Sequence, residues 1–378
     1  MKLGLVFTND WELYGDGSGD FWDVQYNPMI EFLEVLEQYG AKMTIMAELG
    51  QQLSYKSISE FNNDAKKISD AWDYLIVDAL KRKHDVQLHF HPQWLGAKYN
   101  EKWELTKDWA IGKLDLNEVD KIISTGKNYL ESILHQHDSN YQCICFRAGA
   151  YYIEPSEKVV QTLIKYNFLC DTSVTKGLIS DGYFDYSDAY SNVLPYFLNN
   201  DVKFKSPVET SLLEIPIYSK IVFQSNVLKK FFPKLYLNFW SGLEIPNDEI
   251  QWANQRDILK NQRYPRENRF YKQNQKKNLS FYLNQILSKV AIQLDYDYLY
   301  PTEFVNILEK IFDDDDIKHL QNKDVILPIV SSGHIKDVPD SKNIDKILKL
   351  IKQNLGDKIV FMTLSEAVKY FFENKSKF

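Results

Sequence analysis

Short apolar runs alternate with amphipathic stretches through the first half of the chain. The apolar runs predict strands at Leu3–Phe7, Ala41–Met46, Asp85–Phe90, Cys143–Phe146 and Phe168–Cys170. The amphipathic stretches predict helices from Pro28 to about Tyr39, with Asn27 as cap and Gly40 as stop, over Ala65–Lys81 and Asn117–Leu134, and from a Ser156 cap to about Tyr166. Strands and helices that alternate in this way are typical of an α/β fold built on a parallel sheet or barrel.

The regular alternation fades after about Tyr190. The later part of the chain predicts further strands at Leu212–Ile217 and Val325–Val330, then a last strand and helix at Ile359–Met362 and Leu364–Phe372. Residues 219–300 are rich in Asn, Gln, Lys, Arg and aromatic side chains, and we interpret them as an insertion. The prediction is therefore one domain over 1–378, with its core at about 1–218 and 301–378. The insertion would be a lid over a site or an oligomer contact.

Composition and charge narrow the classes of function. The net charge of −7 argues against a protein built mainly for nucleic acid, although residues 219–300 hold 13 Lys and Arg against 7 Asp and Glu. No apolar run approaches the roughly 18 residues of a transmembrane helix, and the chain opens directly on a strand, so the expected compartment is the cytoplasm. The three cysteines form no CxxC pair, which leaves buried small hydrophobic residues as their interpretation.

The glycine-rich stretch TNDWELYGDGSGD, residues 8–20, fits neither a nucleotide loop nor an EF-hand. Its glycines run G-x-G-x-G with no lysine after them, and a calcium loop from Asp16 would need Gly and Glu where Phe21 and Asn27 stand. Two carboxylates remain, Asp10 and Glu12, one residue apart at a strand end. Such a pair suits one metal ligand and one general base. The alternative is an ordinary strand-end turn.

Polar side chains follow the other predicted strands as well. His89 and His91 lie on one face of a strand end and, with a carboxylate, would form a metal site with open positions, although a core histidine is the usual alternative. Arg147 could pair with Asp10 and orient it, or form a structural salt bridge. Asp171 and His334 follow two further strands and could form a general-acid pair in which the carboxylate orients the imidazole.

Taken in chain order, these motifs resemble those of the NodB-homology polysaccharide deacetylases, carbohydrate esterase family 4. The resemblance covers about residues 1–195 and 320–378, through TNDWE, HFHPQW, FRAGAYY, the D-x-S triplet at Asp171 and SSGHIKD. Three departures from the family pattern are the separation of the acids by Trp11, the Gln at position 93, and Ala148 or Gly149 in place of a proline.

The resemblance implies an irregular (β/α)7 barrel and a divalent metal ion, expected to be zinc, bound by Glu12, His89 and His91. It implies that Asp10 is the catalytic base, positioned by Arg147, that His334 is the general acid, and that Asp171 belongs to the catalytic set. The implied reaction removes N-acetyl groups from an amino-sugar-containing glycan or glycan precursor.

The resemblance and the charge of the insertion also predict what the protein binds. The expected substrate is a carbohydrate, and the basic insertion would suit an anionic or carrier-linked one, with oligomer contact as its other role. Two alternatives to a deacetylase stay open: a non-catalytic glycan-binding or assembly protein on the same barrel, and a hydrolase of another C–N bond in a small amide.

Overall fold

The computed structural model describes residues 1–223, 243–265 and 289–378. Its largest sheet has nine strands: β1 Lys2–Trp11, β2 Met43–Glu48, β3 Asp85–Phe90, β4 Cys145–Ala148, β5 Cys170–Asp171, β6 Tyr196–Phe197, β7 Leu213–Glu214, β8 Ile326–Ser331 and β9 Ile359–Phe361. The α-helices of the described ranges are α1 Asn27–Gln38, α2 Leu49–Ile58, α3 Asn63–Lys81, α4 Leu116–Leu134, α5 Glu157–Lys165, α6 Asn247–Arg263, α7 Pro301–Ile311, α8 Lys342–Asn354 and α9 Leu364–Asn374. None of these helices is both long and apolar enough to cross a membrane.

The sheet is parallel and curled. Its strand order is β6-β7-β5-β4-β3-β2-β1-β8, with β9 also paired to β1, and every pairing is parallel except that of β6 with β7. Just beyond β7, Ile217 pairs in parallel with Val330 of β8, and the Tyr218 N–H donates to the Val330 carbonyl at 3.0 Å. The two ends of the parallel strand series therefore meet. The predicted α/β fold on parallel strands is confirmed.

The strands are covered on both faces, as parallel sheets require. Every residue of β1 after Lys2 is buried, including the polar Thr8, Asn9 and Asp10. Amphipathic helices supply the cover: α3, for example, buries Trp72, Ile76 and further apolar residues at helical spacing. The three cysteines are buried and unpaired, as their interpretation as small hydrophobic residues requires.

Of the two predicted helix caps, Asn27 is wrong, and Ser156 stands at the N-cap position of α5 without a side-chain bond to the helix. Asn27 is the first residue of α1 and does not cap it, because the chain is already helical over Trp22–Tyr26 and runs into α1 without a break. Ser156 precedes α5, but its hydroxyl accepts a hydrogen bond from the Val202 N–H at 3.1 Å instead of from the helix. The helical segment before Asn27 and the contact of Ser156 with Val202 explain why these side chains do not bind the helix ends.

Two strands near the ends of the predicted insertion pair with each other. Its first strand, Ser219–Phe223, pairs antiparallel with Lys289–Gln293, so these two ends lie side by side. Tyr296, which follows the second strand, is buried against Phe7 of β1 with the ring centroids 5.8 Å apart. The chain therefore returns to the core directly after this ladder.

Candidate metal and catalytic site

The functional side chains gather where neighbouring parallel strands end. Strands β1, β2, β3 and β4 lie side by side, and Glu48 of β2 is in register with His89 of β3, which is in register with Arg147 of β4. Asp10 is the second-last residue of β1, and Glu12 is the first residue after that strand. The carboxyl ends of parallel strands are the usual place for a site in such folds.

Both histidines present the same ring nitrogen to the centre of this site. His89 Nδ1 lies 2.9 Å from the carbonyl oxygen of Arg147, which can only accept, so Nδ1 carries the proton and Nε2 keeps its lone pair. His91 Nδ1 lies 3.1 Å from Gln93 Oε1, and the Gln93 amide is oriented by its own donation to the Gly15 carbonyl at 2.8 Å. Gln93, at a position where the sequence departs from the family pattern, thus fixes the tautomer of His91.

Glu12 lies against both imidazoles. Its Oε2 is 2.5 Å from His91 Nε2 and 3.3 Å from His89 Nε2, and its Oε1 is 2.5 Å from Lys336 Nζ. Burial opposes ionisation of Glu12, but the neighbouring His91 and Lys336 outweigh it and hold the pKa of this carboxyl well below its ordinary value. Glu12 is therefore a carboxylate at neutral pH.

Glu48 is a site residue that the sequence reasoning missed. It is fully buried, and burial raises its pKa to about 8, with the charge of His91 acting in the opposite direction. Glu12, Glu48, His89 and His91 each offer one ligand atom, and these atoms lie within 4.8 Å of one another. The sequence did carry a signal for it, because Glu48 is the polar residue that ends the apolar run of β2, and polar residues at strand ends were the candidates on the other strands.

The donor set fits a divalent metal ion. Imidazole nitrogens and carboxylate oxygens are the ligands that zinc and similar ions prefer in proteins. Among the described residues, Glu48 Oε2 is buried and has no hydrogen-bond partner, and the buried Nε2 of His91 faces the Glu12 carboxylate oxygen at 2.5 Å. A buried polar atom without a partner is destabilising, and a cation in this group would satisfy Glu48 Oε2 and bind the His91 and Glu12 atoms that face each other. This group could therefore hold a metal ion.

Asp10 is held by Arg147. Arg147 Nη1 lies 2.6 Å from Asp10 Oδ1, and the guanidinium also donates to Thr8 Oγ1 and to the Thr172 carbonyl, both at 2.9 Å. Burial opposes ionisation of Asp10, but Arg147, followed by His89 and His334, outweighs it and lowers the pKa of this carboxyl. Asp10 is thus ionised and fixed in orientation, the state that a general base needs.

His334 faces both carboxylates from the open side of the site. Its Nε2 lies 3.8 Å from Asp10 Oδ2 and 3.6 Å from Glu12 Oε1. Its side chain is 28% exposed, whereas those of Asp10 and Glu12 are 3% and 10% exposed. The backbone N–H of His334 donates to Asp297 Oδ1 at 3.1 Å. A substrate entering from solvent would therefore meet this imidazole first.

Asp171 makes its contacts within its own segment and with Glu214. It is fully buried and accepts hydrogen bonds from the N–H and the hydroxyl of Ser173, at 3.1 and 2.9 Å. Its carboxyl also faces that of Glu214, and burial raises its pKa. Within the described ranges no hydrogen bond or ion pair joins it to His334, and Asp171 is the last residue of β5, where the sequence predicted it just after the strand. The adjacent Thr172 carbonyl accepts from Arg147 Nε, and the charge of Arg147 favours the ionised form of Asp171.

No protein-family model matches the chain, and no curated protein sequence matches it. Solved structures do match over nearly its whole length. A "putative polysaccharide deacetylase" from Mycobacterium smegmatis is 12% identical, with a TM-score of 0.46, over 99% of this chain and 91% of that one. A Puue allantoinase and a "probable polysaccharide deacetylase" from Pseudomonas aeruginosa PAO1 are each 10% identical, with TM-scores of 0.45, over 98% of this chain and 91% of theirs.

Proposed function

We propose that this chain is a metal-dependent hydrolase, on a variant of the (β/α)7 barrel, that removes N-acetyl groups from an amino-sugar-containing glycan or glycan precursor. The observation that carries the proposal is the position of His334 Nε2, 3.8 Å from Asp10 and 3.6 Å from Glu12. A base, an acid and a set of metal ligands thereby surround one small volume. These are the groups that metal-assisted hydrolysis of an amide uses.

In this mechanism Glu12, His89 and His91 would hold a divalent ion, which we propose to be zinc. Such an ion would polarise an amide carbonyl and lower the pKa of water. Asp10 accepts a proton from the water molecule that attacks the carbonyl carbon. Its Oδ1 is bound to Arg147, so Oδ2, the oxygen nearer His334, is the one that accepts.

His334 acts on the leaving group. As the C–N bond breaks, its imidazolium donates a proton to the departing nitrogen, and a free amine and acetate result. Its exposure on the open side of the site supports this role, because the sugar carrying the leaving nitrogen must extend toward solvent. Asp171 would act indirectly, through Arg147.

Aromatic side chains beside the site support a carbohydrate substrate. Trp109, which is half-buried, lies edge-on to His91 with the ring centroids 6.2 Å apart. Tyr152 follows at 6.4 Å from Trp109 and is itself stacked on Tyr183 at 4.3 Å. Flat aromatic faces suit sugar rings, and the positive charge of the insertion supports a substrate with anionic groups or a diphosphate carrier.

The proposal is tested by acetate release from a panel of N-acetylated amino-sugar oligomers, together with metal analysis of the purified protein. We expect close to one divalent ion per chain. Asp10→Asn should lower kcat roughly 10²–10⁴-fold and keep the ion, because it removes the base and leaves the ligands. A His89→Ala/His91→Ala double variant should lose both the ion and activity.

The matched control is Asp23→Asn, which changes an exposed acid close to Asp10 in the chain and should leave rate and metal content unchanged. A wild-type protein that binds glycans but releases no acetate would favour the non-catalytic alternative. A wild-type protein that takes up no ion would remove the centre of the proposal.

A further inference from the structure

We propose that Glu48 is a fourth protein ligand, so that the metal centre has two histidines and two glutamates. The inference deepens the proposed function and rests on it for the presence of an ion. It adds a residue from a strand that contributes nothing to the ligand set implied by the sequence motifs.

Each of the other three ligands has one polar atom tied by the protein and the other facing the cluster. The histidines are tied through Nδ1, by a carbonyl oxygen and by an amide oxygen, and both present Nε2. Glu12 is tied through Oε1 by Lys336 and presents Oε2 to both imidazoles. This is the pattern of ligands that are oriented from behind.

Glu48 follows the same pattern. Its Oε1 accepts hydrogen bonds from the Gly50 and Gln51 N–H groups, at 2.8 and 3.4 Å, at the start of α2. Its Oε2 has no hydrogen-bond partner among the described residues, although the side chain is fully buried. Its ligand atom belongs to the same 4.8 Å group as those of Glu12, His89 and His91.

A role limited to capping α2 does not account for this arrangement. Capping uses one oxygen, and a shorter Asp, Asn or Ser side chain does this in most helices. The second oxygen would then be buried without a partner, at a cost of about 1–3 kcal/mol. A cation in the group removes this cost and also binds the lone pair of His91 Nε2, which otherwise faces the Glu12 carboxylate oxygen 2.5 Å away.

The charges also balance. A divalent ion with two carboxylates and two neutral imidazoles forms a neutral centre, which suits a buried position better than a net charge does. Four protein ligands and an open position for substrate exceed the tetrahedral number of structural zinc sites.

The test uses the full chain, stripped of metal with a chelator and titrated with Co²⁺. The wild type, Glu48→Gln and Glu48→Asp are compared by Co²⁺ affinity and by the visible absorption spectrum of the bound ion. Glu48→Gln keeps an oxygen for the Gly50 N–H and replaces the inward oxygen with an amide. We expect it to weaken Co²⁺ binding at least about tenfold and to change the position and intensity of the absorption bands. Glu48→Asp, which keeps the charge, should fall between the two.

Asn62→Ala is the matched control. Asn62 caps the neighbouring helix α3 by accepting from the Asp64 and Ala65 N–H groups, so its loss should lower stability and leave Co²⁺ affinity and spectrum unchanged. A Glu48→Gln protein with wild-type affinity and spectrum would overturn the assignment of Glu48 and leave the proposed function standing. A wild-type chain that binds no Co²⁺ would overturn both.

Discussion

At the scale of single residues, the contact between Arg147 and Asp10 sets the chemistry of the site. Both side chains are almost fully buried, and the guanidinium also reaches Thr8 and Thr172. A buried ion pair is stable only while both partners are present, because removal of one leaves the other charged and without compensation. The ionisation of Asp10 therefore depends on Arg147.

Arg147→Met should destabilise the protein by about 3–5 kcal/mol, since it leaves the Asp10 charge unpaired inside the core. Adding Asp10→Asn should restore part of this loss by removing that charge. Urea unfolding of the two single variants and the double variant measures both effects. Arg82→Met breaks a half-exposed pair with Glu37 and should cost only about 0.2–1 kcal/mol. A double variant no more stable than Arg147→Met alone would contradict the argument.

The residues of the site differ in how well the sequence predicts them. Asp10, Glu12, His89 and His91 follow apolar runs whose ends are visible in the sequence. Glu48 was missed because its strand was predicted to end at position 46, whereas it reaches Glu48 itself. The sequence could suggest that Asp171 and His334 form a pair, but Asp171 is bound by the nearby Ser173 and faces Glu214, and the His334 N–H donates to Asp297.

At the scale of elements, helix α6 braces the segment that carries His334 and Lys336. Lys260 forms an ion pair with the buried Asp337, and Arg263 Nη1 donates to the Lys336 carbonyl at 3.0 Å. Burial opposes ionisation of Asp337, but Lys260 outweighs it and lowers the pKa of this carboxyl. The sequence indicated only that this region is basic and aromatic, because composition carries no information about which core segment a helix will contact.

Lys260→Met should therefore loosen the segment beside the site. Loss of the charged contact should lower the free energy of unfolding by roughly 1–3 kcal/mol. Displacement of His334 and Lys336 should lower the rate of acetate release about tenfold or more, with metal content unchanged. Chemical unfolding, metal analysis and kinetics on the same preparation separate these effects.

Lys346→Met is the matched control for that variant. Lys346 of α8 pairs with Asp248 and Glu249 at the opposite end of α6, away from the segment that carries His334. It should lower stability by a comparable amount and affect the rate little. Equal losses of rate in the two variants would mean that α6 acts through overall stability and not as a local brace.

At the scale of the whole molecule, the sheet closes because one apolar run pairs with two different strands. The run predicted as a single strand, Leu212–Ile217, gives Leu213 and Glu214 to β5 and Ile217 to β8. Alternating strands and helices predict a parallel sheet, but the exchange of partners that curls it depends on residues more than 100 positions away. Closure could therefore not be predicted from local pattern.

Two carboxyl groups are buried where β7 pairs with β5. Glu214 of β7 is in register with Asp171 of β5, and its Oε1 accepts from the Val174 N–H at 3.0 Å. Burial, together with the nearby Asp171, raises the pKa of Glu214 well above its ordinary value of 4.5. Two carboxyls can share a hydrogen bond only when one is protonated, so folding takes up a proton here.

This proton uptake fixes the sign of a pH effect on stability. The folded chain holds a proton on Glu214 that the unfolded chain releases above pH 4.5. The contribution of this proton to the free energy of unfolding is therefore full below that pH and is lost as the pH rises toward the folded pKa.

Glu214→Gln keeps the oxygen for Val174 and supplies an N–H for Asp171, with no proton to lose. Relative to this variant, the wild type should lose about 1.4 kcal/mol of stability per pH unit across that window. Urea unfolding from pH 5 to about 8 measures the difference, with exposed Glu60→Gln as control. Parallel curves for wild type and Glu214→Gln would show that the two carboxyls are ionised together in the folded protein.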